Sequence, residues 1–487
     1  MTHEFVARFV RGVAGVGLGT LIQILLGLLA FLIGARWLPK DQFGAFVLFQ
    51  VIVLFFLMIA DVFLQKVSIT RFLIAEPDAA NDIIITALSY KLLFGVGIGC
   101  TVLGLRPLAD YLFQSPGLSR LFIYLPLFFL FSSLDELLFS ILQGMHRYRE
   151  IALSQVVTGL TRLCVVTILL VFIHMDVMGL LYAFLFSLAV SILFQWCWVG
   201  VRPGFSLHRA LYVRLFRFGF PLGLNSILTF FFAKLDRFLL GAMVGLSGVA
   251  SYEVAAKIPD NLQRLYQAFQ SVFFPSMSEL FSQGRRQEAE AVLNNSLRLI
   301  SFVSISAALF VLLFQDGLMR LLFSAKYVGS APAFSLLMIS LNMALSGNLM
   351  GTALVAAGRS DRPVRISIVM TVVTLCGNLL FIPAFGFVGA ALAALVANYC
   401  TNLTTSIWYL RKEGIMISWK DLLKPILLFA AYAAFILLLK PESFAFKTAL
   451  VCLFVLSGVP LSIVSKRDLC LILSAFHSKN FVTEPMK

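Results

Sequence analysis

The chain has 487 residues, 60% of them hydrophobic and 13% charged, with a net charge of +14 and a mean hydropathy of +0.94. A soluble domain carries roughly 45–50% apolar and about 25% charged residues, so this composition excludes the soluble classes and points to a membrane protein. The basic excess does not imply nucleic-acid binding, because most Lys and Arg sit in short loops between apolar runs, where such charges set membrane orientation.

Apolar runs of about 20 residues, the length that spans the hydrocarbon core as a helix, recur from end to end. Arg8 and Arg11 precede a first run too long for a signal peptide, so this run is expected to remain as a helix. Spans are predicted near 13–35, 43–64, 83–105, 121–142, 151–173 and 177–198. A second set follows near 218–242, 249–275, 299–314, 331–355, 366–382 and 387–408. Two more run near 425–439 and 448–464. The expected fold is therefore an all-α polytopic membrane protein with about fourteen transmembrane helices.

Charge bias tests this map. With the N-terminus inside, 24 of the 38 Lys and Arg fall in inner segments, 8 in outer loops and 6 in spans. The three-to-one bias follows the positive-inside rule and puts both termini in the cytoplasm. Inner clusters include Arg147/Arg149, Arg202/Arg209/Arg214/Arg217, Arg285/Arg286, Arg359/Arg362/Arg365 and Arg411/Lys412. Residues 284–296 read as a polar surface helix on that side. The seven cysteines are scattered without a CxxC pair and read as small apolar packing residues.

A weak repeat relates the two halves. The turn from Gly34-Ala35 to Phe43-Gly44-Ala45-Phe46 matches one from Gly241-Ala242 to Val249-Ala250-Ser251-Tyr252. Asp176-Val177-Met178-Gly179-Leu180 similarly matches Gly386-Phe387-Val388-Gly389-Ala390. Twelve spans thus read as two parallel six-helix lobes, residues 1–200 and 201–415, with two further helices and a cytoplasmic tail in 416–487. Such duplication is a transporter trait.

Ionisable groups inside spans are costly and usually face a cavity or a partner. On the eighth span Glu253, Lys257, Asp260 and Arg264 follow at i, i+4, i+7 and i+11. At about 100° per residue they form one narrow stripe, which Gln267 and Ser271 extend. Internal Glu253–Lys257 and Asp260–Arg264 pairs are the plainer reading of the same stripe. The seventh span adds Lys234, Asp236 and Arg237, and on it Asn225, Thr229 and Asp236 share a face. On the fourth span Ser132, Glu136, Ser140 and Gln143 make a stripe with Asp135 beside it. Lys91 and Arg162 are lone cations within their spans, and Asp61 lies near the inner end of the second.

The six embedded cations (Lys91, Arg162, Lys234, Arg237, Lys257, Arg264) are matched by six acids. Fixed cations in a cavity favour phosphate or carboxylate. Acids with few partners could instead couple transport to a proton or ion; Asp61, Glu253, Asp135 and Glu136 are the candidates.

At these residues a family resemblance emerges. Leu235-Asp236-Arg237-Phe238-Leu239-Leu240-Gly241, then Tyr252-Glu253-Val254-Ala255-Ala256-Lys257-Ile258, resembles the start of the second lobe in Wzx-type polysaccharide flippases. Ala357-Gly358-Arg359, Asn378-Leu379-Leu380-Phe381-Ile382-Pro383 and Gly386-Phe387-Val388-Gly389-Ala390-Ala391 fit the same family, as does the opening from Gly34 through Asp61-Val62-Phe63-Leu64-Gln65. The glycine usual after that aspartate is absent. The resemblance covers most of the chain, the last two spans least.

It implies the fold of the multidrug/oligosaccharidyl-lipid/polysaccharide exporter superfamily, with two six-helix lobes around a central cavity. The implied activity is flipping an undecaprenyl-diphosphate-linked oligosaccharide to the periplasmic leaflet of the bacterial inner membrane, for O-antigen, capsule or exopolysaccharide export. Lys257 and Arg264, helped by Lys234 or Arg237, would engage the diphosphate, with Lys91 and Arg162 as further cations of the cavity. Asn225, Thr229 and Gln267 would meet the sugars. Lipid-linked oligosaccharide and membrane lipids are the implied partners, with polysaccharide polymerase and chain-length machinery beside them. A lipid II flippase or a multidrug antiporter of the same fold is the near alternative. A membrane glycosyltransferase or polymerase is disfavoured by modest outer loops, and no HExxH, GxSxG, P-loop or zinc spacing appears. No cofactor or metal is expected.

Overall fold

A computed structural model describes residues 3–104, 107, 116–200, 204–359, 361–439, 441 and 443–458. Arg202, Cys470 and the end of the last expected span lie outside them. The described residues form helices joined by short links, with no strand among them. The first half contains α1 (His3–Trp37), α2 (Lys40–Phe63), α3 (Lys66–Ala75), α4 (Ala80–Gly104), α5 (Pro116–Phe122), α6 (Leu125–Gly144), α7 (Tyr148–Val166) and α8 (Val177–Val199). Then come α9 (Arg209–Met243), α10 (Leu246–Ser282), α11 (Arg286–Leu322), α12 (Ala331–Ala356), α13 (Asp361–Phe385), α14 (Phe387–Val396), α15 (Thr404–Lys412), α16 (Trp419–Leu439) and α17 (Phe444–Ser457).

Among the described residues ten helices are long and apolar enough to cross a membrane, so the chain is a multi-pass membrane protein. The seventh and eighth expected spans fall on α9 and α10, whose embedded charges lower their hydropathy. The last two fall on shorter apolar stretches, Leu422–Ile436 and Phe444–Ser457. Outward-facing Phe172, Leu193, Leu321, Leu380 and Leu438 expose between 66% and 84% of their surface, as lipid-facing residues do.

Several elements differ from expectation for local reasons. The polar stretch 284–296 is no separate surface helix; from Arg286 it forms the first turns of α11 and runs without a break into the ninth span. Nothing between Arg286 and Leu322 breaks a helix, whereas Gly284, at φ +70°, ends α10 just before it. The fourth span is divided at Ile123–Tyr124 into α5 and α6, because Pro126, in the first turn of α6, has no N–H to continue a helix from above. The fifth and twelfth spans widen into π-helical turns at Thr167–Phe172 and Ala397–Leu403. The six described cysteines are free and exposed, so they face outward rather than packing inside.

By backbone contact the chain divides into two compact units. The first comprises Met1–Val254, Leu322–Tyr327 and Asn378–Ala390, the second Ala255–Leu321, Val328–Gly377 and Ala391–Lys487.

In the first unit α1 packs on α7, α2 on α9, α7 on α8, and α6 on α3, α4 and α8. Its apolar core joins Leu64, Ile69, Ile83, Ile84, Leu137 and Ile141. In lipid, helices associate through close packing and polar contacts rather than hydrophobic exclusion. Gly44 illustrates the first: a Cβ there would lie 1.9 Å from the Leu246 carbonyl oxygen, so α2 meets the start of α10 backbone to backbone.

The second unit illustrates polar contacts. Asn342 on α12 is fully buried, and its amide donates to the Ser301 carbonyl (2.9 Å), Ser301 Oγ (3.1 Å) and Ser304 Oγ (2.8 Å) on α11. At the helix ends, Glu413 after α15 accepts from Arg359 Nε (2.8 Å) and Arg362 Nε (3.3 Å). Asn294 and Glu290 on α11 bind the backbone of Met416 and Ser418.

Candidate functional site

The polar residues of the first unit converge on a cavity of about 410 Å³ inside the helix bundle. α6 supplies Asp135, Glu136, Ser140 and Gln143, so three of the four stripe residues on the fourth span, all but Ser132, face a hollow. α7 brings Ser154, Gln155, Thr158 and Arg162, and α8 brings Ser191 and Gln195. Gln23 enters from α1, and Lys66 and Thr70 from α3. Helical spacing explains these sets. Ser154, Thr158 and Arg162 are four residues apart, as are Ser191 and Gln195, so each series lies along one helix face.

Hydrogen bonding tightens the inner wall. Asp135 Oδ1 accepts from Ser191 Oγ and Gln195 Nε2, both at 2.6 Å. Ser191 Oγ also lies 3.3 Å from Ser154 Oγ. Arg162 Nε donates to Ser187 Oγ at 3.2 Å, and its guanidinium sits 4.2 Å from the centre of the Phe184 ring. Lys66 Nζ lies 3.8 Å from Glu136 Oε1. Two buried acceptors on this wall, Glu136 Oε2 and Gln195 Oε1, meet no hydrogen-bond partner among the described residues.

The other predicted residues fall into separate groups. Asp61 on α2 and Lys91 on α4 form a buried ion pair at 3.3 Å, exposed by only 1% and 4%. In the same unit Arg237 is held between two acids. It donates from Nη1 to Asp236 Oδ2 at 2.8 Å and from Nε to Glu253 Oε2 at 3.1 Å. Tyr252 OH donates to Asp236 Oδ2 at 2.6 Å, and its ring lies under the Arg237 guanidinium. Arg237 is thus engaged by its own helix and by α10.

Lys234 is half-buried on α9. Of the stripe on α10, Lys257 and Asp260 are half-buried while Arg264 and Gln267 are exposed. Pro259 lies inside α10 without ending it. Asn225 and Thr229 are helical, but their side chains, like that of Ser271, lie outside the described residues. Among the described residues no three His, Cys, Asp or Glu side chains converge as a metal site requires.

Sequence reasoning missed Lys66, Thr70, Gln23, Gln155, Ser191 and Gln195. The i, i+4 spacing of Ser191 and Gln195 was a usable signal. Lys66 was not recoverable as a cavity residue, because it read as one more inner-loop charge. The short helix α3, which carries it back to the bundle, was not anticipated.

A model of the family described as polysaccharide biosynthesis protein matches residues 33–332, more than half of the chain. The chain belongs to this polysaccharide biosynthesis protein family. Its relatives include the probable low-salt glycan biosynthesis flippase Agl15 of Haloferax volcanii, 25% identical over 413 residues, covering 84% of this chain and 83% of the relative. The lipopolysaccharide biosynthesis protein WzxC of Escherichia coli is 23% identical over 431 residues, covering 86% and 82%. The resemblance to Wzx-type flippases read from the motifs is therefore borne out.

Among solved structures, the lipid II flippase MurJ in an inward closed conformation aligns with a TM-score of 0.73 at 15% identity, over 93% of this chain and 99% of that one. An inward-facing multidrug resistance transporter of the MATE family aligns with a TM-score of 0.69 at 18% identity, over 81% and 95%. At such identities the likeness is one of fold. The chain shares the fold of these two transporters.

Proposed function

We propose that this protein flips a lipid-linked oligosaccharide, carried on undecaprenyl diphosphate, from the cytoplasmic to the periplasmic leaflet of the bacterial inner membrane. The observation that carries the reading is a polar cavity of about 410 Å³ within the helix bundle of a member of the polysaccharide biosynthesis family. A hollow lined by amides, hydroxyls and balanced charges gives a hydrophilic cargo hydrogen bonds to exchange for water, while apolar outer faces keep the lipid tail in the bilayer. The names of Agl15 and WzxC, a glycan flippase and a lipopolysaccharide biosynthesis protein, support the same reading.

The proposal has fourteen spans, two six-helix lobes plus two C-terminal helices, and both termini in the cytoplasm. The three-to-one Lys/Arg bias supports that orientation. Lys257 and Arg264 on α10 are the proposed diphosphate contacts. Arg237 and Lys91, already engaged by buried acids, act by holding helices in place. A polymerase and chain-length proteins would then receive the flipped repeat unit.

Deleting the gene tests the function. The expected result is a complete lipid-linked repeat unit accumulating on the inner leaflet, with loss of surface polymer. Accumulation of lipid II, or unchanged glycans with a fall in small-molecule export, would replace this reading with one of its two fold neighbours.

A further inference from the structure

We infer that the cavity of the first unit is a binding site for a single neutral sugar ring, taken up through its hydroxyl groups. The inference deepens the flippase reading, which supplies a cargo containing sugars, and assigns the glycan to residues different from those expected on α9 and α10.

The lining decides the ligand class. Small-molecule sites of roughly 300–1,000 Å³ are usually lined by apolar side chains. This one, at about 410 Å³, is of that size, but thirteen of its fifteen lining residues are polar or charged, all but Val67 and Phe139. An apolar drug would leave those groups without partners, at a cost for each. Charge narrows the class further. Asp135 and Glu136 are matched by Lys66 and Arg162, so neither a cation nor a phosphate gains a net field. Each would also meet two fixed charges of its own sign.

A polyol suits what remains. The amides of Gln23, Gln143 and Gln155 and the Glu136 carboxylate line the hollow, and sugar hydroxyls donate to their oxygens. The same hydroxyl oxygens accept from Lys66 or from the amides of Gln143 and Gln155. Phe139 is the one aromatic ring on the wall, a flat apolar surface for the C–H face of a pyranose. Planar carboxylates and amides around one ring are a chemistry that discriminates among sugars by the direction of their hydroxyls. A site built to pair a hydroxyl rejects an analogue lacking it far more strongly than an apolar pocket does.

The test uses the full-length protein in lipid nanodiscs and saturation-transfer NMR with methyl hexopyranosides and methyl N-acetylhexosaminides, which carry neither lipid nor phosphate. At least one glycoside should bind saturably, unmoved by sodium or pyrophosphate. Gln143→Leu should weaken it about tenfold or more, as loss of one well-placed partner does. Phe139→Leu, which keeps an apolar side chain but loses the flat face, should weaken it while the protein still melts cooperatively, at a slightly lower temperature because Phe139 also packs on the apolar core. Absence of saturable binding to every glycoside in melting-competent protein would overturn the inference. So would binding that both variants leave intact. Competition by sodium or pyrophosphate would overturn it in favour of an ion site. The parent reading fails separately. Sugar binding without loss of surface polymer on gene deletion would leave the site standing and remove the flippase. Loss of polymer on deletion with full export by both variants would do the reverse.

Discussion

Removing one partner of the Asp61–Lys91 pair isolates a charge in the middle of the first unit. The ions are 3.3 Å apart and exposed by 1% and 4%, so water screens them little. With an effective dielectric constant of about 20, their attraction is about 5 kcal/mol, against a desolvation penalty of several kcal/mol for each ion. Asp61 Oδ2 has no hydrogen-bond partner among the described residues, so the pair gains little beyond Coulomb attraction. Its net contribution is therefore small, whereas the loss on breaking it is large. Lys91→Met alone should cost about 3–5 kcal/mol, and Asp61→Leu alone a similar amount. The double variant should return to within about 1 kcal/mol of the parent, because two apolar groups replace two desolvated ions. The assay is a double-mutant cycle on purified protein in detergent, unfolded with SDS or heat. A coupling below about 0.5 kcal/mol, the scatter of independent sites, would refute the argument, for it would mean the two charges do not depend on each other.

Three further outcomes follow from the geometry. Arg237→Lys should impair folding or export even though it keeps the charge, because an ammonium cannot reproduce the fork that reaches Asp236 and Glu253 together; detergent melting and surface-polymer assays measure both. Gly223→Val should lower the yield of folded protein, since even a Cβ there would lie 2.5 Å from Val62 Cα and 2.7 Å from the Asp61 carbonyl oxygen. The expected penalty is at least about 1–3 kcal/mol, and a variant that melts like the parent would contradict the close approach of α9 to α2. Glu413→Gln should cost about 1–2 kcal/mol, because water compensates the half-exposed Arg359 while the more buried Arg362 keeps only Asp361 as an acidic partner; salt-dependent melting of the two proteins provides the comparison.

The sequence made the helices legible and left most partners hidden, for a physical reason. A span is a local property, twenty apolar residues in a row, so the ends of α2, α6 and α8 fall close to where composition puts them. A partner is a tertiary property. Lys91 finds Asp61 thirty positions away, and Gln195 finds Asp135 sixty away. Helical periodicity can place Glu136, Ser140 and Gln143 on one face, but it cannot say what that face meets. The stripe on α10 illustrates the same limit, because Glu253 takes Arg237 from the neighbouring helix, a contact no i, i+4 rule proposes. Lys66 stays hidden in the sequence for the opposite reason. It lies where a loop charge belongs by the positive-inside count, yet the ten-residue helix α3 returns its ammonium to the cavity.

The Asn342 amide fixes more than stability. The two amide N–H groups, shared among three acceptors on Ser301 and Ser304 at 2.8–3.1 Å, oppose sliding of α11 along α12, since a shift by one residue, about 1.5 Å, would stretch all three contacts. With no water in the bilayer to repair them, there is no stable intermediate register. The two helices are thus keyed like a shaft in its collar. A conformational cycle that keeps these contacts carries α11 and α12 together.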